Sequence, residues 1–105
     1  MTTLLGLDLT DRPVLVVGGG PVAARRTQAL VADGARVSVV APDVCETIRD
    51  LHLAGDITLH RREVERTDLT GTWLVHTATG DSVTDLAVLE WAEAERIFCI
   101  DAGAR

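Results

Sequence analysis

Short apolar runs alternate with longer amphipathic stretches along this chain. Residues 13–18 (Pro-Val-Leu-Val-Val-Gly) form an unbroken apolar, β-branched run bounded by Pro and Gly, which predicts a strand covered on both faces. Residues 21–33 then carry Val22 with Ala29, and Ala23 with Leu30, at seven-residue separations, with Arg25 and Arg26 among the polar positions. Gly34 follows as a natural C′ residue, so this is a helix of about 13 residues and about 20 Å. Residues 35–41 predict a second strand. Pro42 and Asp43 open a second helical stretch that fades near Ala54 and Gly55. Residues 57–61 alternate, as an outer strand with one wetter face does. After a short turn at Thr70 and Gly71, residues 72–78 predict a fourth strand. Asp81 or Ser82 caps a helix running to about Glu95, with Val83, Leu86, Leu89 and Ala92 on its apolar side. Residues 96–100 predict the last strand. Strands spaced by helices in this way give a parallel sheet of about five strands with helices on both faces, an α/β doubly wound domain.

At 105 residues the chain is one small domain, with 47% apolar residues and 25% charged ones. Both figures describe an ordinary globular protein. No apolar run approaches the roughly 18 residues of a membrane span, and no secretory signal is expected at the amino terminus. Two cysteines, Cys45 and Cys99, have neither zinc spacing nor a CxxC pattern, which predicts a reduced, cytoplasmic setting. The net charge of −6 and the 3% aromatic content argue against nucleic-acid partners. Every basic residue is Arg, so a Walker A loop and a lysine Schiff base are excluded.

The informative segment lies between the first strand and its helix. Gly18, Gly20 and Ala23 match G-x-G-x-x-G/A, with Gly19 between them and Pro21 and Val22 following. Gly18 permits a tight exit from the strand, Gly20 leaves room for a pyrophosphate at the backbone, and Ala23 lets the helix lie close to the sheet. Pro21 at the first helical position loses nothing by lacking an N–H. The helix N-terminus offers free N–H groups and a positive dipole end to an anion. The same glycines also make a bare tight turn, but the βαβ setting favours a nucleotide in a Rossmann-like fold. The acid that normally closes the second strand is missing, since that strand ends Val39-Val40-Ala41-Pro42. Either Asp43 reaches back to the ribose or backbone groups around Pro42 and Asp43 hold it. No Arg stands there to favour a 2′-phosphate, so NAD is expected over NADP.

Four ordered segments carry a family resemblance over nearly the whole chain. Residues 16–26 resemble the VGGGxVAxRK opening of the siroheme synthase N-terminal domain family, and residues 34–42 its GAxVTVVAP. Residues 73–75 with 78–81 are similar to its WLVxxATDD, and residues 96–99 to its RRIFCN. Members are precorrin-2 dehydrogenases, some doubling as sirohydrochlorin ferrochelatases. The resemblance implies oxidation of the tetrapyrrole precorrin-2 to sirohydrochlorin with NAD⁺ as hydride acceptor, and a homodimer in the full-length protein. It implies that Gly18, Gly19, Gly20, Pro21 and Val22 surround the pyrophosphate and that Pro42 and Asp43 border the adenosine ribose. Thr77, Ala78, Thr79 and Gly80 would border the nicotinamide side. The family's catalytic carboxylate aligns without gaps to Gly103, whereas the available acid is Asp101, the candidate base here. Family members continue past this length, so residues 1–105 are expected to be the NAD-binding part of a longer protein. Precorrin-2 is a polyanion, and a chain of charge −6 is expected to need cationic groups from elsewhere to bind it.

Two other functional classes also accommodate these residues. One is an NAD-responsive regulatory module, against which Ala41-Pro42 speaks; another is a nucleotide-free scaffold. His52, His60 and His76 have no metal-ligand spacing, and no metal site is expected. Arg25 and Arg26 either face a polycarboxylate substrate or solvate their helix. Glu90, Glu93 and Glu95 read as solubilising positions, Cys99 as inert core, and Trp73 and Trp91 as apolar anchors.

Overall fold

The computed structural model describes residues 2–102. Its elements run β1 (Pro13–Val17), α1 (Pro21–Ala32), β2 (Arg36–Val40), α2 (Glu46–Leu53), β3 (Ile57–His60), a 3₁₀ turn (Arg66–Leu69), β4 (Leu74–Thr77), α3 (Ser82–Glu95) and β5 (Phe98–Asp101). The strands form one parallel sheet in the order β3-β2-β1-β4-β5. The doubly wound expectation therefore holds.

Side-chain alternation along the parallel strands sorts the core into two layers. Val14 and Val16 of β1, with Val37 and Val39 of β2, face α1 and α2, where Ala23, Leu30 and Ile48 complete the packing. Leu15 and Val17, with Val40 and Val75, face the 3₁₀ turn and α3, where Leu69, Val88 and Ala92 close over them. Alanines at the start of α1 let that helix approach the sheet; Ala23 is fully buried. At the other end of α1, Gly34 adopts φ +83°, and its N–H donates to the Val31 carbonyl at 3.0 Å. That is the expected left-handed C-terminal stop.

Three expectations need correction. α2 begins at Glu46, not at Pro42, because residues 42–45 are used to bring the end of β2 against the glycine turn; the Cys45 N–H donates to the Gly19 carbonyl at 2.7 Å. β5 begins at Phe98, since Arg96 adopts the left-handed conformation (φ 57°) that terminates α3. The apolar side expected for α3 holds at Ala92 alone: Asp85 and Val88 are buried with it, whereas Val83, Leu86 and Leu89 are exposed. A helix that carries apolar residues around most of its circumference has no unique stripe to read, and contact with β4 and β5 selects the face.

Candidate nucleotide-binding site

All five strands are parallel, so their carboxyl ends share one edge of the sheet. β1 connects outward to β2 and β3 on one side, and the chain then crosses over to β4 and β5 on the other. The crevice where the direction reverses lies between the ends of β1 and β4, the usual seat of ligands in open parallel sheets. A cleft of about 470 Å³ opens at this edge.

Its floor is the turn from β1 into α1. Gly18 has φ +137°, and a Cβ there would stand 2.4 Å from the Ala78 carbonyl oxygen, so only glycine lets β1 and β4 converge at this point. Gly19 is tighter still, because its Cβ would fall 1.9 Å from the Asp43 carbonyl oxygen. Gly20 differs in kind. Its backbone is extended (φ −91°), and a Cβ there would meet nothing within 4 Å. The space over Gly20 is kept open toward the cleft rather than filled by protein.

The polar groups of this corner are available. The Gly18 N–H is spent on the Val40 carbonyl (3.1 Å), but those of Gly19 and Gly20 donate to no described residue. Gly20 is the N-cap of α1, no side chain caps the helix, Pro21 takes the first helical position, and no acid lies in the first turn. The first-turn N–H groups of a helix have no intrahelical acceptor, and the dipole adds positive potential there. The corner therefore fits an anionic diphosphate bridge.

Of the residues expected at the site, Gly18, Gly19, Gly20, Pro42, Asp43 and Thr79 line the cleft. Pro21 and Val22 start α1 beside it. Ala78 lies behind the wall, with its carbonyl against Gly18, and its N–H extends the ladder to the Val17 carbonyl (2.8 Å). Gly80 turns the chain at φ +77°. Thr77 is fully buried, and its hydroxyl donates to the Asp85 carboxylate. Residues not foreseen complete the lining: Val44 and Cys45 before α2, Glu63 and Val64 after β3, and Asp81 and Thr84 at the start of α3. The position of Glu63 and Val64 just past the carboxyl end of a strand was the available signal. Every ionisable side chain on the wall other than the Cys45 thiol is an acid (Asp43, Glu63 and Asp81). Arg62, beside the wall, is held in a two-pronged contact with Asp68 (2.8 and 2.6 Å), which keeps the Asp68 carboxyl below the usual carboxylate range.

Asp101 ends β5 in register with Thr77. Cys99, one step earlier on the same face, has its thiol pushed up to about 11 by burial, with the nearby Asp101 and Asp85 carboxylates adding to the effect. It is half-buried rather than core, and a thiol with this pKa is a poor nucleophile at neutral pH. Gly103 lies outside the described residues. On the opposite face His76 is buried, with Nδ1 unpartnered among the described residues; burial, and then the charge of Arg26, lower its pKa. Trp73 is partly exposed, with the Arg12 guanidinium 4.4 Å above its ring.

This strand order, together with an uncapped glycine corner and a cleft at the switch point, defines a dinucleotide-binding α/β domain. The chain belongs to the family described as "Putative NAD(P)-binding", whose model matches residues 5–105. It is 41% identical over 92 residues to siroheme synthase of Pseudoalteromonas atlantica, covering 88% of this chain and 20% of that protein. It is 34% identical over 91 residues to precorrin-2 dehydrogenase of Priestia megaterium, covering 87% of this chain and 45% of that protein. The solved structure of SirC, a precorrin-2 dehydrogenase, superposes with a TM-score of 0.82 at 33% identity, over 100% of this chain and 51% of its own. D-lactate dehydrogenase from Escherichia coli shares the fold alone, at 13% identity and a TM-score of 0.67. The chain thus spans from a fifth to a half of the length of these relatives.

Proposed function

We propose that residues 1–105 are the NAD-binding part of a precorrin-2 dehydrogenase, which oxidises precorrin-2 to sirohydrochlorin in siroheme biosynthesis. The observation that carries this reading is the unspent Gly19 and Gly20 N–H pair at an uncapped helix N-terminus, inside a chain 34% identical to a precorrin-2 dehydrogenase. When bound, NAD⁺ supplies the acceptor for a hydride, and one proton leaves with the same oxidation. The glycine corner holds the diphosphate, and residues around Pro42 and Asp43 border the adenosine ribose. The acids Asp43 and Glu63, with no Arg or Lys on the wall, disfavour a 2′-phosphate and so favour NAD over NADP. Thr79, in the segment after β4, borders the nicotinamide half. Asp101, at the carboxyl end of β5, is the candidate proton acceptor. The full-length protein is a homodimer that works in the cytoplasm and brings the cationic groups this acidic chain lacks for a polycarboxylate substrate. Ferrochelation of sirohydrochlorin, where present, belongs to that longer protein.

Gly20→Ala separates the site from the fold. Its backbone conformation is open to any L-residue and the added methyl meets no protein atom, so thermal stability stays within about 0.5 kcal/mol. Calorimetric titration is expected to show NAD⁺ binding to the parent chain and at least about tenfold weaker binding to the variant. Unchanged affinity would remove the diphosphate from this corner. For the complete protein, failure to form NADH from precorrin-2 would end the dehydrogenase reading.

A further inference from the structure

One acid close to the cleft has no part in the reading above. Asp85 lies in the first turn of α3, where a carboxylate is ordinarily solvated and complements the helix dipole. Here it is only 6% exposed and does not line the cleft. Its Oδ1 accepts from the Thr77 hydroxyl, from the Thr79 hydroxyl at 2.6 Å and from the Thr79 N–H at 3.3 Å. The donors flank Ala78, the residue whose carbonyl abuts Gly18. Thr79 in turn accepts the Asp81 N–H at 3.0 Å through its Oγ1, and Asp81 caps α3 by accepting from the Val83 N–H and the Thr84 hydroxyl. One buried carboxylate therefore ties α3, the end of β4 and a cleft-lining residue together. A single oxygen taking three donors fixes the segment far more tightly than a solvated loop would be.

We infer that Asp85 is a positioning residue for the nicotinamide half of the cleft, acting through Thr79. This rests on the dinucleotide reading, which orients the ligand: the diphosphate lies at the α1 N-terminus and the adenosine over the end of β2, so the remaining half extends over the β4–α3 segment that Asp85 holds. Asp85 touches no ligand itself. Asparagine in its place would keep one acceptor oxygen but remove the charge that strengthens all three hydrogen bonds, and so release part of the segment.

Calorimetry of the full chain with two ligands tests this, NAD⁺ and ADP-ribose, the second of which carries the diphosphate and adenosine without nicotinamide. Asp85→Asn is expected to weaken NAD⁺ at least about tenfold while ADP-ribose stays within about twofold. Thr79→Val, which removes one arm from the other end, is expected to give the same selective loss and carries the test alone if Asp85→Asn does not fold. Equal losses for both ligands, or unchanged NAD⁺ affinity in a folded variant, would overturn the inference. A parent chain that binds ADP-ribose and NAD⁺ equally would overturn it while sparing the site; a parent chain that binds neither would overturn the dinucleotide reading itself.

Discussion

The two flanks of β1 are built to different standards. On the β2 side the approach to the glycine turn is closed: β1 and β2 are buried toward their carboxyl ends, and residues 42–45 fold back until the Asp43 carbonyl rests on Gly19. On the β5 side the sheet ends in a strand whose residues alternate exposed and half-buried, beneath a helix that leaves Val83, Leu86 and Leu89 in water. Both flanks end in a partly exposed strand, β3 on one and β5 on the other; what differs is how the segment beyond the inner strand is held at the cleft. The lesson is that residues 42–45, on the closed flank, are held by backbone contact with the glycine turn, whereas the β4–α3 wall, on the open flank, relies on the polar clamp of Asp85.

The harshest way to break this contrast is Gly19→Ala. Its methyl would collide with a backbone carbonyl that cannot swing aside without unseating residues 42–45. A loss of about 3–5 kcal/mol and of all NAD⁺ binding is expected in denaturant titration and calorimetry. A loss comparable to that of Gly20→Ala would mean that the closed flank is softer than its geometry.

Chemically identical truncations then compare the flanks directly. Val39→Ala, fully buried in β2, is expected to cost about 2–3 kcal/mol. Val83→Ala, 76% exposed on α3, should fall within about 0.5 kcal/mol of the parent, since alanine is also the better helix former. Urea midpoints measure both. Similar costs would show that α3's outer face is covered in solution.

The gentlest probe is His76, buried on β4 with an unpartnered Nδ1. Its folded pKa lies below the ordinary 6.5, so the unfolded chain binds the proton more readily. That contribution to stability is complete above the unfolded value and declines as pH falls below about 6.5. His76→Leu is expected to be neutral or stabilising by about 1 kcal/mol at neutral pH and to flatten the decline in unfolding midpoint toward about pH 5.5. An unaltered pH profile would assign the decline to other groups.

What could be read in advance follows the range of each interaction. Gly18, Gly20 and the start of α1 were legible because a strand, a turn and a helix contiguous in sequence make the glycine corner. Pro42 and Asp43 were legible as the end of the next strand. Gly19 could be placed but not explained, since its constraint comes from a carbonyl 24 positions away. Glu63 and Val64 join the wall only because β3 is delivered beside β2. Asp85 was not distinguishable from the solvated acids Glu90 and Glu93 on the same helix, because burial depends on which face of α3 meets the sheet.

The order of apolar runs, the glycines between β1 and α1 and the family motifs were set by the sequence alone. Each depends on bonds and dihedrals within a few residues, or on a pattern that persists wherever the chain goes. Tertiary structure decided which face of α3 is buried, which acids reach the cleft and which is sequestered, and where α2 begins. Those outcomes depend on close packing between segments far apart in the chain, where tenths of an ångström separate contact from collision.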